Sequence, residues 1–194
     1  MKTGMLVAAP NMEDSFFSRT VVLLCDYGED GAIGVITNRI TDVTSEEVLK
    51  QMDIEAGGGI RSIVRWGGPV QPGAVFLTFR TTDEDPPVRD VNDPEGDDDV
   101  EPAFLVNDAL RVSPARSVIA AVAEQTRTHP AFLTLGYAGW APGQLDREIQ
   151  SGSWILLDVD EAIVFGVDPE DQWEQCIRSL GIDESLLWMH PVEE

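Results

Sequence analysis

The chain has very little positive charge, and this scarcity excludes the first class of function. Of its 194 residues, 13 are Lys or Arg and 35 are Asp or Glu, so the formal net charge at pH 7 is −22. Only Lys2 and Lys50 are lysines. A surface with this charge repels phosphate backbones and anionic membranes at physiological salt. We therefore expect no direct binding to nucleic acid and no attachment to a membrane.

Cysteine and histidine are also scarce. The two cysteines lie far apart, and Cys25 belongs to the apolar run Val21–Cys25, so a buried free thiol is expected there. No Cys-x-x-Cys pair or His-rich spacing indicates a metal site. No apolar run approaches the roughly 18 residues of a membrane span, and Met5–Ala9 is too short for the core of a signal peptide. The expected compartment is the cytoplasm.

The motifs of common enzyme classes are missing as well. Gly57–Gly59 lacks the Lys-Ser/Thr of a phosphate-binding loop and the spacing of a dinucleotide turn. Asp26–Thr37 has Gly28 and Thr37 where a calcium loop needs oxygen ligands, so a hairpin turn is predicted there. There is no Gly-x-Ser-x-Gly elbow, and both histidines precede a proline. We expect no cofactor and no metal, and we assign no catalytic residue.

The chain has an excess of acid, concentrated in one block. Residues 83–101 contain ten acidic side chains against the single base Arg89, with three prolines among them. Such a composition predicts a solvated and mobile loop within a single domain spanning 1–194, and not a linker between domains. The overall acidity fits a cytosol of very high salt, where screening makes dense like charge tolerable. An acidic protein from an ordinary bacterium is the alternative.

The remaining segments alternate between strand and helix patterns. Four helices are predicted from capping signals and helical spacing, beginning at Thr44–Glu47, Ser113-Pro114, Pro142 and Asp168-Pro169. Strands are predicted at 5–9, 20–25, 32–37, 63–66, 74–79, 103–106, 109–112, 131–135 and 154–157. Early hairpins and late strand–helix–strand units predict an α+β domain with helices packed on a mixed β-sheet. The apolar tail Leu186–Met189 is expected to dock on this body.

Two glycine-rich, nearly uncharged segments contrast with this acidic background: 66–73 (WGGPVQPG) and 136–145 (GYAGWAPGQL). If these segments are loops that line a groove for a ligand or partner, their aromatic rings would form its flat apolar sides and their glutamines would hydrogen-bond the ligand. The candidate residues are Trp66, Gly67, Gly68, Gln71, Tyr137, Trp140 and Gln144. The structural alternative is that the glycines supply turns with positive φ and the aromatic rings cover the end of the sheet.

Four polar residues, three of them near strand ends, complete the candidate site: Arg19, Asn38, Arg39 and Glu148. An arginine at such a position can hold a carboxylate or a phosphate through a bidentate pair of hydrogen bonds. Because the chain is rich in acids, an internal salt bridge is the alternative role for each arginine.

The same segments resemble the YqgE/AlgH family of uncharacterised bacterial proteins. The resemblance spans nearly the whole chain and is carried, in order, by Ala9-Pro10, 16–25 (FFSRTVVLLC), 31–39 (GAIGVITNR), 67–70 (GGPV), 135–149 (LGYAGWAPGQLDREI) and Ser153-Trp154. It implies a single α+β domain whose mixed sheet curls toward a barrel with helices packed outside, no known cofactor and no agreed catalytic residue. Some members are labelled transcriptional regulators. This chain departs from the family in the length and acidity of 83–101 and in Ile40-Thr41, where a proline often follows the Asn-Arg pair.

Two functions follow as hypotheses. The first is a non-enzymatic, cytosolic binding or regulatory protein, linked to transcriptional regulation through a protein partner, with the two glycine-rich segments as its contact surface. The alternative is an enzyme that acts on a small anionic substrate in a pocket between those segments, using Arg19, Arg39 or Glu148. Both hypotheses depend on one spatial expectation, namely that Trp66 and Trp140 lie at a shared end of the curled sheet.

Overall fold

A computed structural model describes residues 3–93, 95–127 and 130–181. Within these ranges the chain forms eleven strands and five helices. The strands are β1 (Gly4–Ala8), β2 (Val21–Gly28), β3 (Gly31–Ile36), β4 (Ile40–Thr44), β5 (Ile63–Trp66), β6 (Val70–Arg80), β7 (Arg89–Asp90), β8 (Pro102–Leu105), β9 (Leu110–Ser113), β10 (Ala131–Trp140) and β11 (Trp154–Leu157). The helices are α1 (Ser45–Gln51), α2 (Arg116–Ala123), α3 (Gln144–Gln150), α4 (Glu161–Gly166) and α5 (Pro169–Ser179).

The strands form one mixed sheet that curls into a half-barrel. Its order is β11-β1-β2-β3-β10-β6-β9-β8-β7, with β5 paired to β10 on a branch and β4 paired to β5. Most pairs are antiparallel, whereas β5–β10 and β7–β8 are parallel. The predicted fold class, a single α+β domain with a mixed sheet curling toward a barrel and helices packed on it, is confirmed.

The sheet bends where the pairing is irregular. The β2–β3 register shifts between Leu24 and Asp26, and the β10–β6 register shifts between Leu135 and Tyr137. The second shift contains Gly136, whose φ of 71° lies in the left-handed region that glycine adopts without steric cost. Extra residues on one strand bend that strand and increase the local twist, so these shifts help to curve the sheet.

The described part of the chain has two apolar cores. The alternation of side chains along β10 separates them, because Phe132 belongs to one core and Leu133 to the other. Residues from α3, α4 and α5 complete the core on the Phe132 face, and residues from α1 and α2 complete the core on the Leu133 face. The helices therefore cover two sides of the sheet.

Three elements, namely β4, β7 and α4, and the first residues of two helices, α2 and α3, differ from the sequence expectation. β7 has only two residues, and α3 begins at Gln144, two residues after the expected Pro142. β4 alternates exposed and half-buried positions and α4 has only six residues, so neither carries enough buried apolar residues to be predicted. α2 begins at Arg116, two residues later than expected. Ser113 Oγ accepts a hydrogen bond from the backbone N of Ala115 at 3.1 Å, and this local turn takes the place of the predicted cap.

The capping box of α1 and the triglycine Gly57–Gly59 both have structural roles. The capping box of α1 is confirmed, with Thr44 N donating to Glu47 Oε2 at 2.8 Å. Gly57–Gly59 packs on the end of α2, where all three backbone amides donate to the carbonyl of Ala123 at 2.9–3.3 Å. A Cβ at Gly59 would collide with the carbonyl oxygen of Val122. The triglycine is therefore a packing element for the helix end.

The acidic block 83–101 contains β7 and a series of tight turns. Asp90, Asp93 and Asp97 each accept a hydrogen bond from the backbone N two residues later, at 2.9–3.0 Å. Arg89 Nε donates to the carbonyl of Val100 at 3.1 Å and so closes the block on itself. The mobility of this block stays a prediction.

The tail Leu186–Met189 lies outside the described residues. None of the helices in the described ranges is both long and apolar enough to span a membrane.

Candidate functional site

The two glycine-rich segments lie side by side as strand ends. β5 ends at Trp66 and β6 begins at Val70, while the second segment is the end of β10 followed by the start of α3. Gly67 N donates to the carbonyl of Leu135 at 2.7 Å, and Tyr137 is the register partner of Val70. The expectation of loops is therefore wrong for much of both segments, because backbone pairing extends through them.

The glycines permit this contact, and the contact fills the space between the segments. A Cβ at Gly67 would collide with the carbonyl oxygen of Gly136, and a Cβ at Gly68 would collide with the backbone of Tyr137. Gly68 also has a φ of 149°, which residues other than glycine rarely adopt. The pocket that the enzyme hypothesis places between the segments is occupied here by backbone packed on backbone.

Trp66 and Trp140 lie at a shared end of the sheet and are bridged by two consecutive phenylalanines. Phe16 stacks on Trp66 with ring centroids 5.9 Å apart and an interplanar angle of 27°. Phe17 lies 6.4 Å from the ring of Trp140 and 5.6 Å from that of Trp154. Sequence reasoning did not assign Phe16 or Phe17 to the site. Adjacent aromatics in a polar loop were the available signal.

Two of the predicted polar residues, Asn38 and Arg39, hold the loop that carries these phenylalanines in place. Asn38 Oδ1 accepts a hydrogen bond from Val21 N at 2.8 Å, and Asn38 Nδ2 donates to the carbonyl of Arg19 at 2.9 Å. Arg39 Nη2 donates to the carbonyl of Ser18 at 2.6 Å. These contacts tie the loop between β1 and β2 to the end of β3, so the position of Phe16 is set by the sheet.

The side chain of Arg19 adopts the alternative role considered for it, an internal salt bridge. Its Nη2 lies 2.8 Å from Glu174 Oε1, and its guanidinium lies 4.7 Å from the ring centroid of Trp173. The backbone of Arg19 has a φ of 55°, which is uncommon outside glycine. Arg19 therefore joins the loop to α5.

Glu148 and Gln144 hold α3 against the sheet. Glu148 Oε2 accepts hydrogen bonds from the indole Nε1 of Trp140 at 2.8 Å and of Trp154 at 2.9 Å. Glu148 Oε1 accepts from Gln144 Nε2 at 2.8 Å, and Gln144 Oε1 accepts from Ala141 N at 3.0 Å. Trp140 is only 7% exposed. Trp140 was predicted to form an apolar side of a groove, and Gln144 was predicted to contact the ligand. Both are thus part of an internal hydrogen-bond network.

A second hydrogen bond anchors α3 from the other side. Tyr27 Oη donates to Asp146 Oδ1 at 2.6 Å. This bond to a carboxylate, together with partial desolvation and the negative charge of Asp146, raises the pKa of Tyr27 above its usual value. Tyr27 stays protonated because the carboxylate accepts its proton in a hydrogen bond and would repel a phenolate.

The candidate residues divide by exposure and by contacts. Phe16 is 54% exposed, Gln71 is exposed with a φ of 45°, and Trp66 and Tyr137 are half-buried. Tyr137 packs on Phe76 with ring centroids 5.8 Å apart. The other candidates are buried or engaged in the internal contacts given above: Arg19, Asn38, Arg39, Gly67, Gly68, Trp140, Gln144 and Glu148.

On the Phe132 face, Arg65 is a buried cation that sequence reasoning did not single out. It is 8% exposed, and its guanidinium lies 3.6 Å from the ring centroid of Phe132. Its Nη1 donates to the carbonyls of Thr37 at 2.6 Å and Val164 at 3.4 Å. Burial lowers the pKa of Arg65 to about 10, since desolvation penalises the charged form.

A cavity of about 1070 Å³ lies at the opposite end of β10 from the glycine-rich segments. Its lining includes Met5, Arg80, Pro130, Glu161 and Phe165. Arg80 Nε lies 3.2 Å from Glu161 Oε2, so the basic side chain at this cavity is paired. Among the residues that the structure describes, no group of three His, Cys, Asp or Glu side chains is arranged to hold a metal ion.

Comparison with known proteins identifies relatives along nearly the whole chain. Residues 5–185 match the family described as DUF179, AlgH-like. A UPF0301 protein of Paracoccus denitrificans is 37% identical over 185 residues, covering 94% of this chain and 91% of that protein. The solution structure of the AlgH protein from Pseudomonas aeruginosa matches with a TM-score of 0.68 and 28% identity, covering 99% of this chain and 95% of that one. A crystal structure from Corynebacterium diphtheriae shares the fold, with a TM-score of 0.70 and 22% identity over 98% of this chain and 93% of that one. The chain therefore belongs to the AlgH-like family.

Proposed function

We propose that the protein is a non-enzymatic binding protein and that its contact surface is the aromatic stack of Phe16 on Trp66. Gln71 and Tyr137, at neighbouring strand ends, extend this surface. The observation that carries the proposal is that Phe16 is 54% exposed and yet stacks on Trp66 at 5.9 Å. Aromatic side chains, phenylalanine and tryptophan included, are enriched at protein interfaces relative to the rest of the protein surface.

The hydrogen bonds that hold the loop support this role. Binding costs free energy whenever it immobilises side chains and loops, and a surface fixed in advance avoids part of that cost. Asp14 Oδ1 accepts hydrogen bonds from Phe16 N at 2.8 Å and Phe17 N at 3.0 Å. Together with the contacts of Asn38 and Arg39, these bonds hold the backbone that carries Phe16.

The charge of the molecule limits the chemistry of its partner. The chain has a net charge of −22, whereas segment 66–73 carries no charged side chain. A partner that places an apolar group on Phe16 and Trp66 and surrounds it with basic residues would be attracted at long range. We propose a protein partner of this kind, through which any link to transcriptional regulation would act without direct contact between this chain and DNA.

The enzyme hypothesis has less support. Both carboxylate oxygens of Glu148 accept hydrogen bonds from neighbouring side chains. This carboxylate therefore has a structural role and is a poor candidate for a general acid or base. Arg19 is paired with Glu174. The proposal also keeps the cytoplasm as the compartment, because Cys25 and Cys176 are free thiols, as is usual in a reducing environment.

Co-purification from cells that naturally express the protein tests the proposal. The tagged Phe16→Ala variant is compared with tagged Leu156→Ala, which removes another exposed apolar side chain, 38% exposed on edge strand β11. Both variants should keep the unaltered thermal unfolding midpoint. We expect Phe16→Ala to lose a partner that Leu156→Ala retains. Equal recovery of all partners by both variants would contradict the proposed surface.

A further inference from the structure

Strand β11 is an open edge of the sheet, because within the described ranges it pairs with β1 alone. Residues of an antiparallel pair alternate between bonding to the neighbouring strand and pointing their N–H and C=O groups away from it. The carbonyl of Ser153 accepts from Ala9 N at 2.9 Å, so residue 153 and every second residue after it bond to β1. The backbone groups of Trp154 and Leu156 therefore point outward, and no loop or helix among the described residues supplies them with a partner.

This edge lacks lysine, proline and a bulge, three features that usually keep exposed strands from pairing with other chains. Segment 153–157 (SWILL) contains no charged residue, and its register with β1 is unbroken. Leu156 is 38% exposed and adds apolar surface beside the outward donors and acceptors. The edge therefore fits a segment in extended conformation, which would form backbone hydrogen bonds with Trp154 and Leu156.

The cavity of about 1070 Å³ begins where this edge ends, because Leu157 and the next four residues line it. Half-buried Leu157, Val159 and Phe165 belong to its apolar lining. Its charged lining consists of three acids and one base: Asp158, Asp160, Glu161 and Arg80. The base is already paired, with Arg80 Nε 3.2 Å from Glu161 Oε2. The cavity is therefore suited to a side chain that has an apolar stem and a positive charge.

We propose that the β11 edge and this cavity form one binding site for an extended, basic segment of a partner protein. The outward backbone groups add the segment to the sheet as a further strand, and a lysine or arginine at its end enters the cavity. In an antiparallel pair the basic residues precede the strand-forming ones, because the start of the segment then lies beside Leu157. The site shares no residue with the Phe16–Trp66 surface.

Charge complementarity decides between the possible occupants. A second copy of this chain would bring another net charge of −22 and the same acids to the cavity. Like charges placed together oppose association, whereas a basic segment is attracted by the acidic chain and by the cavity lining. The proposal therefore names a basic partner and not a homodimer.

Amide hydrogen exchange in the full chain tests whether the edge is open. The amides of Trp154 and Leu156 should exchange at least about tenfold faster than those of Ile155 and Leu157, which bond to β1. Equal protection of all four amides would mean that another part of the chain already occupies the edge, and this result would overturn the proposal.

The binding test uses a synthetic peptide of two lysines followed by alternating valine and threonine, and a matched peptide with glutamates in place of the lysines. We expect the lysine peptide to bind and to slow exchange at Trp154 and Leu156. Leu156→Pro removes an outward N–H without changing the charge, at a position where an edge strand tolerates proline. It should weaken binding at least about tenfold, whereas Leu156→Ala keeps the N–H and should weaken binding less than about threefold.

Asp158→Asn tests the cavity and keeps the proposal testable if Leu156→Pro does not fold. Asp30→Asn removes the same charge from an exposed position in the turn between β2 and β3 and is the control. Only Asp158→Asn should weaken binding of the lysine peptide, by about threefold or more. No binding of the lysine peptide, equal binding of both peptides, undiminished binding to folded Leu156→Pro, or equal effects of the two asparagine variants would overturn the proposal.

Discussion

The carboxylate of Glu148 accepts the indole N–H of Trp140 at 2.8 Å, and the same oxygen accepts the indole N–H of Trp154 at 2.9 Å. One charged oxygen thus joins α3 to the ends of two strands that are not neighbours in the sheet, β10 and β11. Hydrogen bonds to ionised groups are stronger than those between neutral groups. Glu148, which the sequence offers as a candidate catalytic residue, therefore stabilises the structure beside the Phe16–Trp66 surface.

Replacement of Glu148 by glutamine should destabilise the fold. An amide places an NH₂ group where a carboxylate oxygen now accepts, so it faces either two indole donors or Gln144 Nε2. A partly buried donor left without an acceptor costs about 1–3 kcal/mol. Urea unfolding measures the loss, and Glu29→Gln, at an exposed position, is the control. Equal midpoints for the two variants would show that the Glu148 network contributes no stability.

Glycine should be required at position 67 and dispensable at position 73. A Cβ at Gly67 would collide with the carbonyl oxygen of Gly136, whereas a Cβ at Gly73 would meet no atom within 4 Å. Gly67→Ala should therefore lower the free energy of unfolding by about 2 kcal/mol or more. Gly73→Ala should change it by no more than about 1 kcal/mol and can raise it by restricting the unfolded chain. Chemical denaturation of both variants checks this, and a neutral Gly67→Ala would be inconsistent with the packed segments.

The phenol of Tyr27 should ionise at lower pH when Asp146 is replaced by asparagine. In the native protein Asp146 raises the pKa of Tyr27, so Tyr27 contributes stability at pH values below its unfolded pKa near 10. That contribution is lost as the pH rises through the raised folded value. The chain has two tyrosines, and a Tyr137→Phe background isolates Tyr27 in an ultraviolet titration of tyrosinate. An unchanged titration curve in Asp146→Asn would contradict the hydrogen bond.

Both cysteines should resist thiol reagents in the native protein. Burial raises the pKa of the Cys25 thiol well above its usual value and raises that of Cys176 to about 11, so little thiolate exists at pH 8. Reaction with an aromatic disulfide reagent should be slow in buffer and fast in denaturing urea. Rapid reaction of one thiol without denaturant would show that its surroundings open readily.

Sequence patterns predict the central hairpin well, because β2 is a continuous apolar run that is buried at Val21–Cys25. The capping box of α1 is equally local, since both of its members lie within four residues. β4 and α4 were not predictable in this way. β4 alternates exposed and half-buried residues, and the place of α4 is set by contacts with distant strands, such as that between Arg65 and Val164.

The candidate site was predictable only in part. Trp66 and Trp140 were predicted as site residues because their glycine-rich, uncharged segments are unusual in so acidic a chain. The two residues do lie at one end of the sheet. The sequence could not show that Phe16 and Phe17 bridge them, because that contact depends on how the loop folds back. It also could not separate the exposed Gln71 from the internally bonded Gln144, since both are glutamines in similar segments.

Site-specific photo-crosslinking tests the proposed contact surface most directly. A photoreactive phenylalanine analogue replaces Phe16 in cells that naturally express the protein, and the same analogue at Leu156, on edge strand β11, is the control. We expect one discrete protein adduct from position 16 that position 156 does not give and that the purified partner reproduces. No adduct at position 16, or the same adducts from both positions, would contradict the proposed contact surface.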